Sequence, residues 1–383
     1  MSVNLSKGKI LPIGVDLGTA TLKMAQLRAM PKGAFTLIAA AIAEVPPEAR
    51  REPAARMRFL HDGLRIAMKD AAFKGNQCIL SLPAEMTFVQ HLKLAKMPPE
   101  QLASALHWEL QGKLPYDPSR AIIRHVLAGE IYENNEVRQE VIVLAVNRDT
   151  VEAHINLLRR VKLDCVGMNI EPCAIVDCFA RLFRRSADAS RATLFIDIGV
   201  GSTQVVISHG QHAAFARNLF LAGNQFDQAV ADGLKVSLDE AQRMRRLAAA
   251  DELGDGQLAP LQEALSPAVT ALSDQVTSCL RYYESVFPNR PLERAVFLGG
   301  QAYDKRLCQM LARQLVLPAQ IGDPLAGIPR ESNVPGLGSQ GDGSRLEASG
   351  DESLPDWAVA VGLSLSAAPR TQTAERHEEV VRA

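Results

Sequence analysis

The chain has 383 residues, of which 47% are hydrophobic and 22% charged, as expected for a globular protein of more than one domain. Its net charge of -1 gives no electrostatic reason to expect nucleic acid or anionic lipid as a partner. No apolar run is long enough for a membrane helix, and the N-terminus lacks the apolar core of a signal peptide.

The first half of the chain alternates between predicted strands and helices. Strands are expected at 13–15, 22–27, 35–43, 77–82, 89–94, 122–127 and 140–146. Helices are expected at 54–69, from the Pro98-Pro99 pair to Leu114, at 150–161 and at 171–185. His107 and Trp108, on the second of these helices, are expected to pack in a core, with a groove for a partner as the alternative.

The second half repeats this alternation. A strand near 213–219 precedes a helix at 225–234, and the capping box at 237–240 opens another helix. A long helix is predicted to begin at Ser266-Pro267, because Ser suits the N-cap and Pro the first helical position. A strand at 294–298 and helices at 304–315 and 357–365 follow.

Two similar glycine motifs, about 180 residues apart, carry the main functional signal. The first is IGVDLGTATLK at 13–23, and the second is LFIDIGVGSTQVVI at 194–207. Each predicts a strand, a tight glycine turn bearing an Asp, and a second strand. Two such hairpins facing each other can hold a phosphate chain from both sides, as in the nucleotide clamp of actin and the sugar kinases.

The chemistry of the hairpins assigns roles to individual residues. Backbone N–H groups beside small turn residues can approach an anion closely. Asp16 and Asp197 would repel a phosphate unless Mg²⁺, or a water on that ion, lies between them. Lys23 could counter phosphate charge, although strand alternation could also point it elsewhere. The predicted phosphate-binding residues are Gly18, Thr19, Ala20, Lys23, Gly199, Gly201, Ser202 and Thr203.

A third glycine element, Gly299-Gly300, follows an apolar strand and would let a base or ribose lie against the backbone. An ordinary helix-entry turn would have the same sequence. Neither GxGxxG nor GxxxxGK[ST] occurs between a strand and a helix, which disfavours a Rossmann or Walker A site.

These elements predict an α/β, two-lobed actin-like ATPase (ribonuclease H-like) fold with a small αβ subdomain inserted in the first lobe. The first lobe is assigned to 1–76 and 166–190, the insert to 77–165 and the second lobe to 191–328. Residues 329–355 are expected to form a flexible loop, 356–366 a helix that returns to the core, and 367–383 a disordered tail.

Further segments resemble one family closely, the type IV pilus assembly protein PilM family, over most of residues 10–365. The segments that carry the resemblance are IGVDLGTATLK, Leu82-Pro83-Ala84-Glu85, 109–116, 170–174, 222–227, 240–245, Asp323-Pro324 and 360–365. Ala20, Ala222, Gln242 and Arg245 depart from the family pattern. Arg is not equivalent to Lys at a binding site, so the clamp is better supported for holding ATP than for hydrolysing it.

The resemblance implies ATP and Mg²⁺ between the lobes and further site residues. Asp16 and Asp197 would hold Mg²⁺ through water and help to order the attacking water. Glu171 could polarise that water, or could simply complement the dipole of its helix. Gly223, Glu240, Arg243, Gly299 and Gly300 would bound the nucleotide, although Arg243 could equally be a solvated helix charge.

The resemblance also implies a partner. A groove at the insert would take the N-terminal cytoplasmic peptide of a PilN-like inner-membrane protein, alongside other pilus inner-membrane components, and self-association is left open. The protein would be cytoplasmic and attached to the inner membrane through that partner, with at most slow ATPase activity. Six cysteines without a CxxC pair agree with a reducing compartment.

Three other functions share this core. A sugar kinase-like phosphotransferase would need a catalytic Asp and sugar-recognising residues, and the sequence offers no convincing set. An FtsA-like filament protein would end in a basic amphipathic helix, whereas the tail TQTAERHEEVVRA has mixed charge. A GspL-like secretion component would have lost its nucleotide site, which the intact glycine motifs oppose.

Overall fold

The computed structural model describes residues 8–133, 136–183, 191–332, 334 and 353–368. Its strands are β1 (Lys9–Ile10), β2 (Ile13–Leu17), β3 (Thr21–Ala29), β4 (Phe35–Glu44), β5 (Gln77–Leu82), β6 (Thr87–Ala95), β7 (Ala121–Glu133), β8 (Glu136–Asn147), β9 (Asp164–Ile170), β10 (Ala192–Ile198), β11 (Thr203–His209), β12 (His212–Leu219), β13 (Leu292–Leu298) and β14 (Ala319–Ile321). Its helices are α1 (Pro47–Arg51), α2 (Pro53–Asp70), α3 (Pro99–Glu109), α4 (Arg148–Arg160), α5 (Glu171–Ala180), α6 (Gly223–Leu234), α7 (Leu238–Ala249), α8 (Asp255–Val286), α9 (Lys305–Leu315) and α10 (Ala358–Leu365).

Two sheets of the same topology organise the chain into two lobes. In the first, β4, β3 and β2 form an antiparallel meander, and β5 and β9 continue it in parallel. In the second, β12, β11 and β10 form the meander, and β13 and β14 are the parallel strands. The repeated order places both glycine turns at the same point of their respective sheets.

Helices α5 and α10 pack against each other between the two sheets. A Cβ on Gly362 would lie 1.9 Å from the Ala174 carbonyl oxygen, and one on Gly14 would lie 2.0 Å from that of Ala360. Only glycine allows the backbones to approach this closely. The buried Ser364 hydroxyl donates to the Pro12 carbonyl oxygen at 2.8 Å, which fixes α10 against the first sheet.

The inserted segment forms its own sheet, in the order β6-β8-β7, with α3 packed on it. This sheet also contacts the second lobe. The Glu140 side chain is fully buried, and its Oε1 accepts a hydrogen bond from the Tyr282 hydroxyl at 2.8 Å and lies 2.7 Å from His91 Nδ1. His91 Nε2 lies 3.2 Å from both the nitrogen and the oxygen of Ala216 on β12.

The structure departs from several predicted element bounds. β5 and β9, at the ends of the predicted insert at 77–165, pair within the first sheet, and the separate sheet spans only Thr87 to Asn147. Strand β9 was not predicted from the sequence. Helix α5 ends at Ala180, and the prediction for 184–185 lies outside the described residues.

The long helix begins at Asp255, so the predicted start at Ser266-Pro267 is wrong, and both Pro260 and Pro267 lie inside it. Leu261 and Leu265 are 2% exposed in the core of the second lobe, and their burial extends the helix towards its N-terminus. The expected core packing of His107 and Trp108 is also wrong, because both side chains are exposed, that of Trp108 by 71%.

The structure describes only some of the residues for which predictions were made after residue 328. Residues 329–332, 334 and 353–355 of the predicted loop are described, and the rest of that loop lies outside the described residues. The same holds for the predicted tail beyond residue 368. The returning helix is present as α10.

Candidate functional site

The two glycine turns face each other across the cleft between the lobes. A Cβ on Gly201 would lie 3.2 Å from the Thr19 hydroxyl oxygen and 2.3 Å from Glu85 Oε1. Thr19 itself donates to Glu85 Oε1 at 3.0 Å. The tips of the two hairpins therefore approach within a few ångströms of each other, as the sequence analysis proposed.

The first hairpin is held in shape by a buried arginine. Arg56 on α2 donates to the carbonyl oxygens of Leu17, Gly18 and Thr19 at 2.9, 2.8 and 3.1 Å. Because Arg56 binds these oxygens, the backbone N–H groups of the turn are its candidate anion contacts, although that of Gly18 also hydrogen-bonds to Asp16.

The second hairpin is braced by the start of α6. Gly199 donates to the Ser202 carbonyl oxygen at 2.9 Å, and Gly223 donates to Gly199 at 3.1 Å. The buried Thr203 hydroxyl donates to the Leu221 carbonyl oxygen at 2.7 Å. Thr203 thus uses its side chain to hold the fold, which leaves only its backbone as a candidate phosphate contact.

Three acidic side chains converge below the turns. Burial raises the pKa of Asp16 from 3.8 to about 6, with Lys23 opposing the rise and Asp356 adding to it. Burial, followed by repulsion from Asp16, raises the pKa of Asp197 from 3.8 to about 7. Burial and the charges of Asp16 and Asp197 also raise the pKa of Glu171 well above its usual 4.5. The structure therefore brings together all three predicted catalytic acids.

Lys23 lies among these acids. Its Nζ is 3.1 Å from Asp356 Oδ2, and both side chains are buried. Burial lowers the pKa of Lys23, but the charges of Asp356 and Asp16 more than offset this, so its pKa lies above the usual 10.5. Lys23 is therefore a charged member of the site.

The part of the cleft that was predicted to bind the nucleoside contains a residue that the predicted site omitted. Arg245 is buried and donates to Asp227 Oδ1 and to Gln301 Oε1, both at 2.5 Å. The predicted Glu240 and Arg243 instead pair with each other, with Arg243 Nη2 2.6 Å from Glu240 Oε1 and both side chains partly exposed. Arg245, and not the predicted Arg243, is therefore the α7 arginine that contacts the neighbouring turns.

Gly223 and the Gly299-Gly300 pair line the same part of the cleft as Arg245. A Cβ on Gly299 would lie 2.3 Å from Asp197 Oδ1, and one on Gly223 would lie 2.8 Å from Gln301 Nε2. Gly299 has a φ of 82°, which favours glycine. Gly300 starts the turn that carries Gln301, and a Cβ there would meet nothing within 4 Å.

Sequence reasoning missed Glu85, Asp356, Arg56 and Gln301 as members of the site. The Leu82-Pro83-Ala84-Glu85 segment was noticed, but without a role for its acid. An arginine on the buried face of a predicted amphipathic helix was a usable signal for Arg56, because such a cation needs buried acceptors. Nothing local marks Asp356, which reaches the site only because α10 packs between the sheets.

The residues present fit a magnesium ion held largely through water. Among the described residues, no group of three acidic, histidine or cysteine side chains is placed to enclose a metal ion. Mg²⁺ usually keeps several waters and takes one or two carboxylates. Asp16 and Asp197 offer such a pair, which a cation would stabilise, because the charge of Asp16 already raises the pKa of Asp197.

We expect Asp197→Asn to make the ligand-free protein more stable at alkaline pH. Between pH 3.8 and about 7 the folded state keeps a proton on Asp197 that the unfolded state has released, so the free energy of unfolding falls as the pH rises through that range. The full loss corresponds to at most roughly 4 kcal/mol. Urea denaturation of both proteins near the two ends of the range should show similar stability at the acidic end and a more stable variant at the alkaline end. Equal pH dependence in the two proteins would contradict the assigned environment.

The family model for the type IV pilus assembly protein PilM matches residues 14–367. The chain belongs to the PilM family. The family assignment predicted from the sequence is thus confirmed. A comparison with curated proteins gives no match.

Two solved structures share the fold of this PilM-family chain. The PilM-PilN type IV pilus biogenesis complex has a TM-score of 0.72 and 22% identity, covering 93% of this chain and 98% of that one. The ethanolamine utilization protein EutJ from Carboxydothermus hydrogenoformans has a TM-score of 0.52 and 13% identity, covering 95% and 92%. The predicted two-lobed, actin-like ATPase fold is confirmed. No helix in the described part of this PilM-family chain is long and apolar enough to cross a membrane.

Proposed function

We propose that this PilM-family chain is an adaptor in type IV pilus assembly that binds ATP with Mg²⁺ between its lobes and docks the N-terminal peptide of a PilN-like inner-membrane protein. The observation that carries the proposal is the family match over residues 14–367, on a chain whose two glycine turns meet across the cleft. The match favours this function over the sugar-kinase and FtsA-like alternatives.

The nucleotide half of the proposal rests on the geometry of the cleft. The backbones of the two turns would contact the phosphates, and Lys23 would supply a fixed positive charge beside them. Bound Mg²⁺ would offset the charge of the phosphates and of the neighbouring carboxylates. Asp16 and Asp197 would hold the waters of that ion, and Gly299 and Gly300 would bound the nucleoside.

The environment of Glu171 supports slow turnover at most. Glu171 stands at the start of α5, and burial together with the two aspartates favours its neutral form. Glu171 could accept a proton from an attacking water only in its charged form, which this environment opposes. We therefore expect slow turnover at most.

The partner half of the proposal rests on the insert and on the PilM-PilN complex, which has the same fold. The insert exposes two large side chains, Trp108 at 71% and Tyr132 at 81%. Exposed aromatic side chains commonly anchor partners at interfaces. We place the peptide at the insert, and the protein accordingly in the cytoplasm, held at the inner membrane by this partner.

A peptide-binding experiment tests both halves. A fluorescent peptide with the N-terminal sequence of a PilN-like protein is titrated with the full chain, with and without ATP and Mg²⁺, and a scrambled peptide serves as the control. We expect binding in the micromolar range that changes severalfold with nucleotide. If the peptide does not bind, the adaptor proposal is refuted. If the peptide binds with the same affinity with and without ATP, peptide binding is not coupled to the cleft.

A pair of variants tests the location. Trp108→Ser should weaken peptide binding about tenfold, which is the loss expected for an aromatic anchor. Phe220→Ser, at a residue 58% exposed in the second lobe, is the matched control. Equal affinity in the two variants would place the peptide away from α3.

A further inference from the structure

The segment that leads into α10 forms one wall of the candidate site. The Pro355 carbonyl oxygen accepts a hydrogen bond from Gly299 at 3.1 Å. The next residue, Asp356, accepts a hydrogen bond on Oδ1 from the Tyr303 hydroxyl at 2.7 Å. Its other oxygen, Oδ2, is the one that lies 3.1 Å from Lys23 Nζ. Asp356 therefore connects the first hairpin to the glycine turn of the second lobe.

The Lys23–Asp356 pair is shielded from water, since the side chains are only 7% and 11% exposed. A buried pair is screened much less than a surface pair. Removing one partner of such a pair leaves the other uncompensated, which is costly. Asp356 therefore competes strongly for Lys23 with any anion that enters the cleft.

The charges around Lys23 make this competition matter. Asp356, Asp16 and Asp197 all act on Lys23 electrostatically, so three carboxylates surround one ammonium group. A phosphate chain that enters without a cation meets a lysine that is already neutralised and two further acids. Its approach is opposed until Lys23 is released or a metal ion arrives with it.

We propose that Asp356 competes with the nucleotide phosphates for Lys23 and so makes nucleotide binding strictly dependent on Mg²⁺. This inference rests on the proposed nucleotide function and adds a residue that sets the form of ligand accepted, the metal complex rather than the free nucleotide. Asp356 does not touch a reacting atom in this role. It acts through Lys23.

The decisive variant is Asp356→Asn, which keeps the shape of the side chain and removes its charge. Calorimetric titration of the full chain with ATP, in excess Mg²⁺ and in EDTA, compares it with the wild type. We expect the affinity in EDTA to rise about tenfold in the variant, and the affinity in Mg²⁺ to change by less than about threefold. Unchanged or weaker binding in EDTA would overturn the inference.

A double-mutant cycle separates this effect from a general loss of negative charge. If Asp356 acts through Lys23, the gain disappears in the Lys23→Met background, where no cation is left to be released. A gain of the same size in that background would show that Asp356 acts by repelling the phosphates directly, and would overturn the competition with Lys23.

Two further variants guard against misfolding and nonspecific effects. Tyr303→Phe keeps every charge and removes only the hydrogen bond that orients Asp356, so a smaller gain in EDTA, about threefold, is expected. Glu331→Gln removes an ion pair with Arg28 at the opposite end of β3 and should leave both affinities unchanged. Loss of the gain in Tyr303→Phe, or an equal gain in Glu331→Gln, would contradict the proposed role.

The failure of this inference can be told apart from failure of the proposed function. Wild-type protein that binds no ATP even in Mg²⁺ would refute both. Wild-type protein that binds MgATP, together with an Asp356→Asn variant that behaves identically in EDTA, would refute only the role of Asp356.

Discussion

Asp16→Ala is expected to abolish binding of ATP in the presence of Mg²⁺, with a loss of affinity of more than about 100-fold. The Asp16 carboxylate ends β2 at the glycine turn and is 6% exposed, beside Lys23 and Asp197. Its removal leaves one aspartate to hold the waters of the ion. Calorimetry or a fluorescent ATP analogue would measure the loss.

The same substitution should leave the fold intact. Because burial raises the pKa of Asp16 to about 6, its charged form opposes folding at neutral pH, and alanine should therefore not lower the Tm. Asp62→Ala, at a side chain 63% exposed on α2, is the control and should bind nucleotide like the wild type. Unchanged affinity in Asp16→Ala would refute the assignment of this aspartate to the nucleotide site.

Gly362→Ala is expected to have the largest effect on stability. The added methyl group would lie 1.9 Å from the Ala174 carbonyl oxygen, and backbone atoms cannot move aside as a flexible side chain can. Helices α5 and α10 would have to separate, which also loosens the contacts of α10 with β2. Overpacking of this kind costs roughly 3 kcal/mol or more, and chemical denaturation of the full chain would measure it.

Gly256→Ala is the matched control for this substitution. Gly256 lies in α8, where an added Cβ would meet nothing within 4 Å, so alanine should stabilise the helix by about 0.5–1 kcal/mol. A Gly362→Ala protein as stable as the wild type would mean that the two helices are not packed as closely as described. Tighter binding of ATP in EDTA by a folded Gly362→Ala protein would show that α10 also holds Asp356 in place.

The parts of the fold that could be predicted from sequence are those with local signals. The Asp-Gly turns marked both hairpins because strand, turn and strand follow within a dozen residues, and β5 was predicted at its observed bounds. The start of α8 was misplaced because Ser266-Pro267 is a good N-cap signal, whereas the burial of Leu261 that overrides it depends on the second lobe. Local capping preferences are weak compared with such burial.

The residues of the candidate site also fall into those with a local sequence signal and those without one. Asp16, Asp197 and Glu171 were predicted because each sits at the end of a recognisable element. Asp356 and Arg245 were not, because each reaches the cleft through tertiary packing. Arg243 and Arg245 are indistinguishable on α7 until the face that packs against Asp227 is known.

The contact between the insert and the second lobe has a mechanical consequence. The insert is joined covalently to the first lobe, yet Glu140 and His91 attach it to Tyr282 and Ala216 of the second. Asn218 adds a hydrogen bond to the Thr87 hydroxyl at 3.2 Å. The insert is therefore a strut that spans both lobes. Any rotation that opens the cleft must either strain these buried hydrogen bonds or rotate the insert as well. In the second case a small change in the angle between the lobes would become a larger displacement at Trp108.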